Sequence, residues 1–336
     1  MKKFFIAILL LLGVIFFISR FTEVQNIGAI LRQGDWYFMV LALILELLFL
    51  LNQGFTYSAI YQSLGIEENR LHMFMVASAA YFINIVTPTA GASAIAVFLT
   101  DAKNRRKSTA RVTVAWALFL LFDYSAMVIV LILGLGVLAR RNNIHWPEIT
   151  ASILLMLVAL GLAVLIYLGA QAPVLLGKVL AWMAINVNRV MHIFTRKEFI
   201  SVERAYSFAD DAAEGISVIR SKPRSLIAPL LLALLSKTLL ILVLACMFLA
   251  FEVPFSAGTV IAGFAIGYLF AIVSPTPSGI GIVEGILTLS LTSLRVPLDA
   301  ATIITLAFRG FTFWIPLLIG IFNFRRLSSL QKQTAN

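Results

Sequence analysis

The chain has 336 residues, 61% hydrophobic and only 12% charged, with a mean hydropathy of +0.98. These values exclude a soluble globular domain and indicate a polytopic membrane protein. The net charge of +10 does not signal nucleic acid, because the basic residues sit in short stretches beside apolar runs, the pattern that orients membrane spans.

Met1-Lys2-Lys3 followed by Phe4 to Ile18 has the basic start and apolar core shared by signal peptides and first spans. No small-x-small cleavage site follows, so the stretch reads as a transmembrane helix with its N-terminus inside. Asp35 offers an N-cap and Trp36-Tyr37 interfacial aromatics to a second span, Phe38 to about Ala59, which contains Glu46. Leu71 to Thr100 is apolar but interrupted between Asn84 and Ser93 by Thr87, Pro88 and Gly91. From Gly91 to Thr100 a helix rises only about 15 Å, half of a ~30 Å hydrocarbon core, so this arm returns to the side it came from. Lys103, Arg105, Arg106 and Lys107 then mark that side as cytoplasmic.

Val112 to Leu138 is a long span carrying Asp123, Arg140 to Glu148 a short outer loop, and Thr150 to Gly169 a return span. Residues 171–225 form a polar, Lys/Arg-rich cytoplasmic linker. Within it Phe199, Val202, Tyr206, Ala209, Ala213, Ile216 and Ile219 recur at helical spacing, giving an amphipathic helix whose apolar face packs on the membrane domain or its interface. Leu226 to Phe251 spans outward with Lys237, and Ala300 to Phe322 returns inward with Arg309. Residues 1–326 thus read as one integral membrane domain and 327–336 as a polar C-terminal tail, both termini cytoplasmic.

Between the last two spans lies the most informative stretch, Tyr268 to Gly285. Ser274, Pro275, Pro277, Ser278, Gly279, Gly281 and Glu284 bring the wrong chemistry for an uninterrupted membrane helix. A broken backbone at membrane depth survives only where protein or a water-filled cavity satisfies it. The expectation is a second hairpin with its tip at Ser274 to Gly281, its second arm pointing unpaired N–H groups at a cavity. The two hairpins enter from opposite sides. Val86-Thr87-Pro88-Thr89 also echoes Val273-Ser274-Pro275-Thr276, and Arg111-x-x-x-x-Trp116 echoes Arg309-x-x-x-x-Trp314. The fold class is therefore all-α, about six full spans plus two Pro/Gly-broken hairpins in an inverted repeat.

Pro-Thr-Pro-Ser-Gly-Ile-Gly-Ile-Val-Glu-Gly resembles the Pro-Gly-Gly-x-Gly-x-x-Glu signature of the flippase-like family, named for the membrane region of lysylphosphatidylglycerol synthases. The Phe-Asp-Tyr segment at Asp123 and the Arg-x-x-x-x-Trp at Arg309 extend the likeness over most of the chain; Ser278 stands where that family usually has glycine. The resemblance implies lipid transport and favours Glu284 and Arg309, with Asp123, as site residues.

Glu46, Asp123, Lys237, Glu284 and Arg309 fall within expected spans, where an unpaired ion costs at least ~2.5–3.5 kcal/mol, so they face protein or water. They are either structural ion pairs, with Glu284 compensating the second arm's helix dipole, or a transport site. In the second case Arg309 and Lys237 hold a phosphate while Glu284 pairs with Arg309 or exchanges a proton. Trp116 and Trp314 read as packing or interface residues. Cys246 in an apolar run and three scattered histidines suggest no metal site, and no P-loop is present, so no cofactor and no ATP hydrolysis are expected.

The expected function is movement of a phospholipid or related anionic lipid between leaflets of the cell membrane, by a non-enzyme whose expected partners are anionic lipid head groups and an enzyme of lipid synthesis. The alternatives are the membrane component of a lipid-modifying synthase system or an ion-coupled transporter of a small anionic solute.

Overall fold

In the computed structural model, residues 30–86, 94–140, 146–191, 223–274 and 276–335 are described, with 206, 209–210, 212–213 and 216–217 between them. The expected first span, the tip residues Thr87, Pro88 and Gly91, and Pro275 lie outside the described residues. The described chain is helical, without strands: α1 (Trp36–Ser63), α2 (Arg70–Val86), α3 (Ala94–Asn104), α4 (Thr109–Arg140), α5 (Trp146–Gln171), α6 (Pro173–Met191), α7 (Ile227–Ala250), α8 (Ala257–Val273), α9 (Ile282–Ser293), α10 (Leu298–Arg309) and α11 (Ile315–Ala335). Among the described residues, Trp36–Ser63, Thr109–Arg140, Glu148–Gln171, Arg224–Ala250 and Leu298–Leu327 are long and apolar enough to cross a membrane.

Helix α1 starts where the sequence suggests, with the Asp35 carboxylate accepting from the Tyr37 amide at 2.9 Å. It packs along α7 in antiparallel fashion. At one end the Asp35 amide donates to the Ala250 carbonyl at 2.8 Å; at the other the Ser63 hydroxyl donates to the Ser225 carbonyl at 3.1 Å. Midway, Asn52 Nδ2 donates to the Leu232 carbonyl at 2.8 Å and to Ser236 Oγ at 2.7 Å, polar contacts worth about 0.6–2 kcal/mol each between membrane helices.

This pairing fixes the sense of both hairpins. The α2–α3 unit follows the C-terminal end of α1, whereas α8–α9 follows the C-terminal end of α7, which lies beside the start of α1. The hairpins therefore begin from opposite sides. In each, a 17-residue arm of about 26 Å is followed by an arm of 11 or 12 residues, about 16–18 Å. Helix α8 packs against its own return arm and against α4; α2 packs against α1, α11 and the turn at the second tip. Its contact with α11 is close, because a Cβ at Gly320 would stand 2.7 Å from the Ser78 carbonyl oxygen.

Two features differ from the sequence reading. The region following Gln171, read as polar linker, continues as the helix α6, with Val174, Leu175 and Trp182 exposed. Of the expected amphipathic helix, the described Ala209, Ala212 and Ile216 are buried, with Ala212 and Ile216 joining the apolar cluster that includes Ile166 and Ala170 of α5; Tyr206 is exposed. The last span also changes register: Gly310–Trp314 forms a π turn between α10 and α11. Pro316 explains its position, since a proline in a helix has no N–H for the Thr312 carbonyl and its ring crowds that oxygen.

Candidate functional site

The second tip is built by three consecutive constraints. Ser274 leaves the helix in extended geometry, its hydroxyl 2.9 Å from Thr276 Oγ1 and accepting from the Thr276 amide at 3.2 Å. Thr276 Oγ1 then reaches the Ile280 carbonyl at 3.0 Å, closing the loop on itself. Ser278, Gly279 and Gly281 all take positive φ, at 48°, 71° and 80°. At Gly279 a Cβ would stand 2.3 Å from Val283 Cγ2, so glycine is required by space as well as by dihedral.

Helix α9 begins after Gly281, which has no side chain to accept from the first-turn amides. Glu284 serves this end from inside the helix, its Oε2 accepting from the Gly281 amide at 2.7 Å. Its other oxygen, Oε1, accepts from Arg309 Nε at 2.8 Å. Arg309 also donates from Nη2 to the Ser278 carbonyl at 3.2 Å, and its guanidinium lies 5.1 Å from the centre of the Phe313 ring, on the π turn. Among the described residues its Nη1 has no partner. Both readings of Glu284 hold together: it compensates the helix end and pairs with Arg309.

A second ion pair lies deeper. Lys237 of α7 donates to Asp123 Oδ1 of α4 at 2.6 Å and to the Tyr268 hydroxyl at 2.9 Å. Its ammonium also sits 4.1 Å from the centre of the Tyr268 ring, and its side chain is 1% exposed.

One member of each pair, Asp123 and Arg309, borders a cavity of about 210 Å³. Its wall includes Asn84 from the end of α2, Trp116 and Asp123 from α4, Tyr268, Ser274, Thr276 and Ser278 from the second hairpin, and Arg309 and Thr312 beside the π turn. At roughly 30 Å³ per water molecule, this space holds a phosphate-sized group with a few waters, not a whole lipid.

A family model described as the lysylphosphatidylglycerol synthase TM region matches residues 4–320. The chain belongs to this family. No curated protein matches the chain. Membership makes it a multi-pass membrane protein linked to lipid metabolism or transport.

Of the residues singled out in the sequence, the structure brings Arg309, Asp123, Ser274 and Ser278 together on the cavity wall, with Glu284 paired to Arg309 and Lys237 to Asp123 off the wall. Glu46 is fully buried and does not line the cavity. Trp116, read as packing, is a wall residue, whereas Trp314 is not and packs edge-on against Phe313. Asn84 and Tyr268 received no role although both fall in the interrupted stretches. The Asn84 carbonyl oxygen is buried without a partner.

Away from the cavity, a charged cluster joins the base of the first hairpin. Lys107 donates to Glu68 Oε2, Arg105 donates to Glu68 Oε1 at 3.1 Å, and Arg105 Nη2 donates to His72 Nδ1 at 3.1 Å. Arginine can only donate, so Nδ1 accepts and the protonated Nε2 faces Asp101, 3.0 Å from its carboxylate oxygens. Burial works to raise the Glu68 pKa, but Lys107, the Asn69 amide and Arg105 together hold it below the ordinary carboxylate value. Glu68, His72 and Asp101 bring ligand atoms within 4.8 Å of one another, yet the two cations on the same carboxylates account for the cluster as an ion-pair network. Lys103 to Lys107 thus includes pairing residues as well as orienting charge.

Proposed function

We propose that this chain is a lipid carrier of the cell membrane, both termini cytoplasmic, that moves a phospholipid or related anionic lipid between leaflets without performing a reaction on it. The observation that carries the reading is Arg309, a guanidinium on the wall of a cavity at a broken helix, its Nη1 without a partner among the described residues. Arginine binds phosphate through two parallel N–H bonds and keeps its charge at any depth. A phosphate arriving from either side exchanges with Glu284 for the Arg309 fork, and Glu284 keeps the Gly281 amide meanwhile. The acyl chains remain outside, since only a head group fits the cavity. The family's description, which joins this membrane region to a lipid synthase, supports a lipid as cargo.

The test is leaflet exchange of head-labelled phospholipids in proteoliposomes, comparing wild type with Glu284→Gln and Arg309→Ala at matched incorporation. Exchange by wild type and its loss in both variants is expected. Failure of the intact wild type to exchange any head group, together with uptake of a small anionic solute, would transfer the site to that solute.

A further inference from the structure

Glu46 lies in the middle of α1, fully buried, and neither of its carboxylate oxygens has a hydrogen-bond partner. Its neighbours one turn away on the same face, Ala42, Phe49 and Leu50, are buried in the apolar core. Away from the helix ends, the charged groups on the elements packed around α1 are committed elsewhere: Lys237 of α7 and Asp123 of α4 to each other, and Arg309, which precedes the π turn packed on α1, to Glu284. The other titratable groups are Tyr37 at the start of α1 and Tyr57 and Tyr61 toward its end, Cys246 of α7, Tyr81 of α2, Tyr124 of α4, and at helix ends Arg70 and His72 of α2 and Arg111 and Arg140 of α4; His72 is held by Asp101 and Arg105. An ionised carboxylate in such a place is among the costliest arrangements a membrane protein can hold, and a neutral acid removes that cost.

A packed ring leads from this stretch of α1 to the cavity. Tyr81 and Tyr268 both line the cavity. The Tyr81 ring packs edge-on against Phe49, one turn along α1 from Glu46, with ring centres 6.2 Å apart. Arg309 lines the same cavity as Tyr81.

We propose that Glu46 is a proton-binding site that couples lipid movement to a proton gradient, a role that rests on the carrier reading given above. In the conformation described, Glu46 carries its proton as the neutral acid and Arg309 is left to Glu284 or to a phosphate. When the cavity opens to water, Glu46 releases that proton to it, and the resulting carboxylate draws on Arg309 and weakens its hold on the lipid. A metal cation is not the fitting occupant, because hard cations take about six oxygen ligands and the flanking face of α1 supplies none.

The test has two arms on purified, reconstituted protein. Infrared difference spectroscopy on wild type is expected to show the C=O band of a buried carboxylic acid, shifted by ¹³C-labelling of glutamate and lost in Glu46→Gln. The labelling arm needs no variant, so poor folding of Glu46→Gln does not decide it. In proteoliposomes, a gradient of about one pH unit is expected to drive wild type to a leaflet asymmetry of up to ~tenfold for one proton per lipid, and Glu46→Gln to an even distribution. Absence of the glutamate band in wild type overturns the proton site. Exchange by wild type that stays even under the gradient overturns the coupling. A band lost in Glu46→Gln, in a protein that exchanges no head-labelled lipid, supports the proton site and overturns the carrier reading instead.

Discussion

The two ion pairs at the cavity use similar chemistry for different ends. Lys237 and Asp123 join two long helices, and the ammonium has a carboxylate, a hydroxyl and a ring face around it, with almost no exposure. Arg309 and Glu284 join a span to a broken-helix tip; each has a second partner in the tip backbone, and among the described residues the guanidinium Nη1 has none. The first pair can separate only by leaving a buried charge alone. The second can exchange a partner while both members stay satisfied. The difference separates a lock from a binding fork, and it follows from what surrounds each charge rather than from the charges themselves.

The largest effect expected from breaking this contrast is on the lock. Lys237→Met leaves Asp123 uncompensated and is expected to lower stability by about 3–5 kcal/mol, read as loss of thermal stability in detergent, with Lys237→Met/Asp123→Leu recovering most of it. Arg309→Ala is expected to reverse the pattern. Its stability loss is smaller, about 1–3 kcal/mol, because Glu284 keeps the Gly281 amide, while lipid exchange falls at least ~tenfold. Arg309→Lys restores charge without the fork and recovers little exchange.

Ser278→Gly is expected to stabilise by about 0.5–1 kcal/mol, since serine at φ 48° strains the tip, and Ser278→Val to destabilise it. The smallest effect concerns the base of the first hairpin. The folded-state pKa of Glu68 is lowered, so its ionised form stabilises the protein above its unfolded value, and that contribution is lost as the pH falls through the folded one. A thermal-stability profile should therefore steepen below about pH 4.5 in wild type and flatten there in Glu68→Gln.

The described spans, the second interrupted stretch and the opposite senses of the two hairpins are legible in the sequence because hydropathy, proline and basic flanks are local signals. The pairing of Glu284 with Arg309 was legible as one of two readings, since a buried carboxylate needs a partner but sequence does not say which. The Arg-x-x-x-x-Trp echo misled in part. Arg111 is the third residue of α4, whereas Arg309 ends α10 twelve residues into its span, so equal spacing hid unequal depth. Lys237 reads from sequence as either an ion-pair member or a phosphate ligand, because its contacts with Asp123 and Tyr268 arise from separate helices and no local pattern encodes them. The π turn was equally hidden: Pro316 reads as a tolerated helix proline until the register of Gly310–Trp314 is seen.

The most direct measurement sets the two pairs against each other in one exchange assay. Head-labelled phospholipid exchange would be followed in proteoliposomes containing wild type, Arg309→Ala or Lys237→Met/Asp123→Leu, each at matched incorporation and with its melting temperature recorded. The account predicts that the apolar replacement of the lock retains most of the exchange while Arg309→Ala loses it. Exchange that survives in Arg309→Ala and disappears in the folded double variant would contradict it, and would make Lys237 and Asp123 the site.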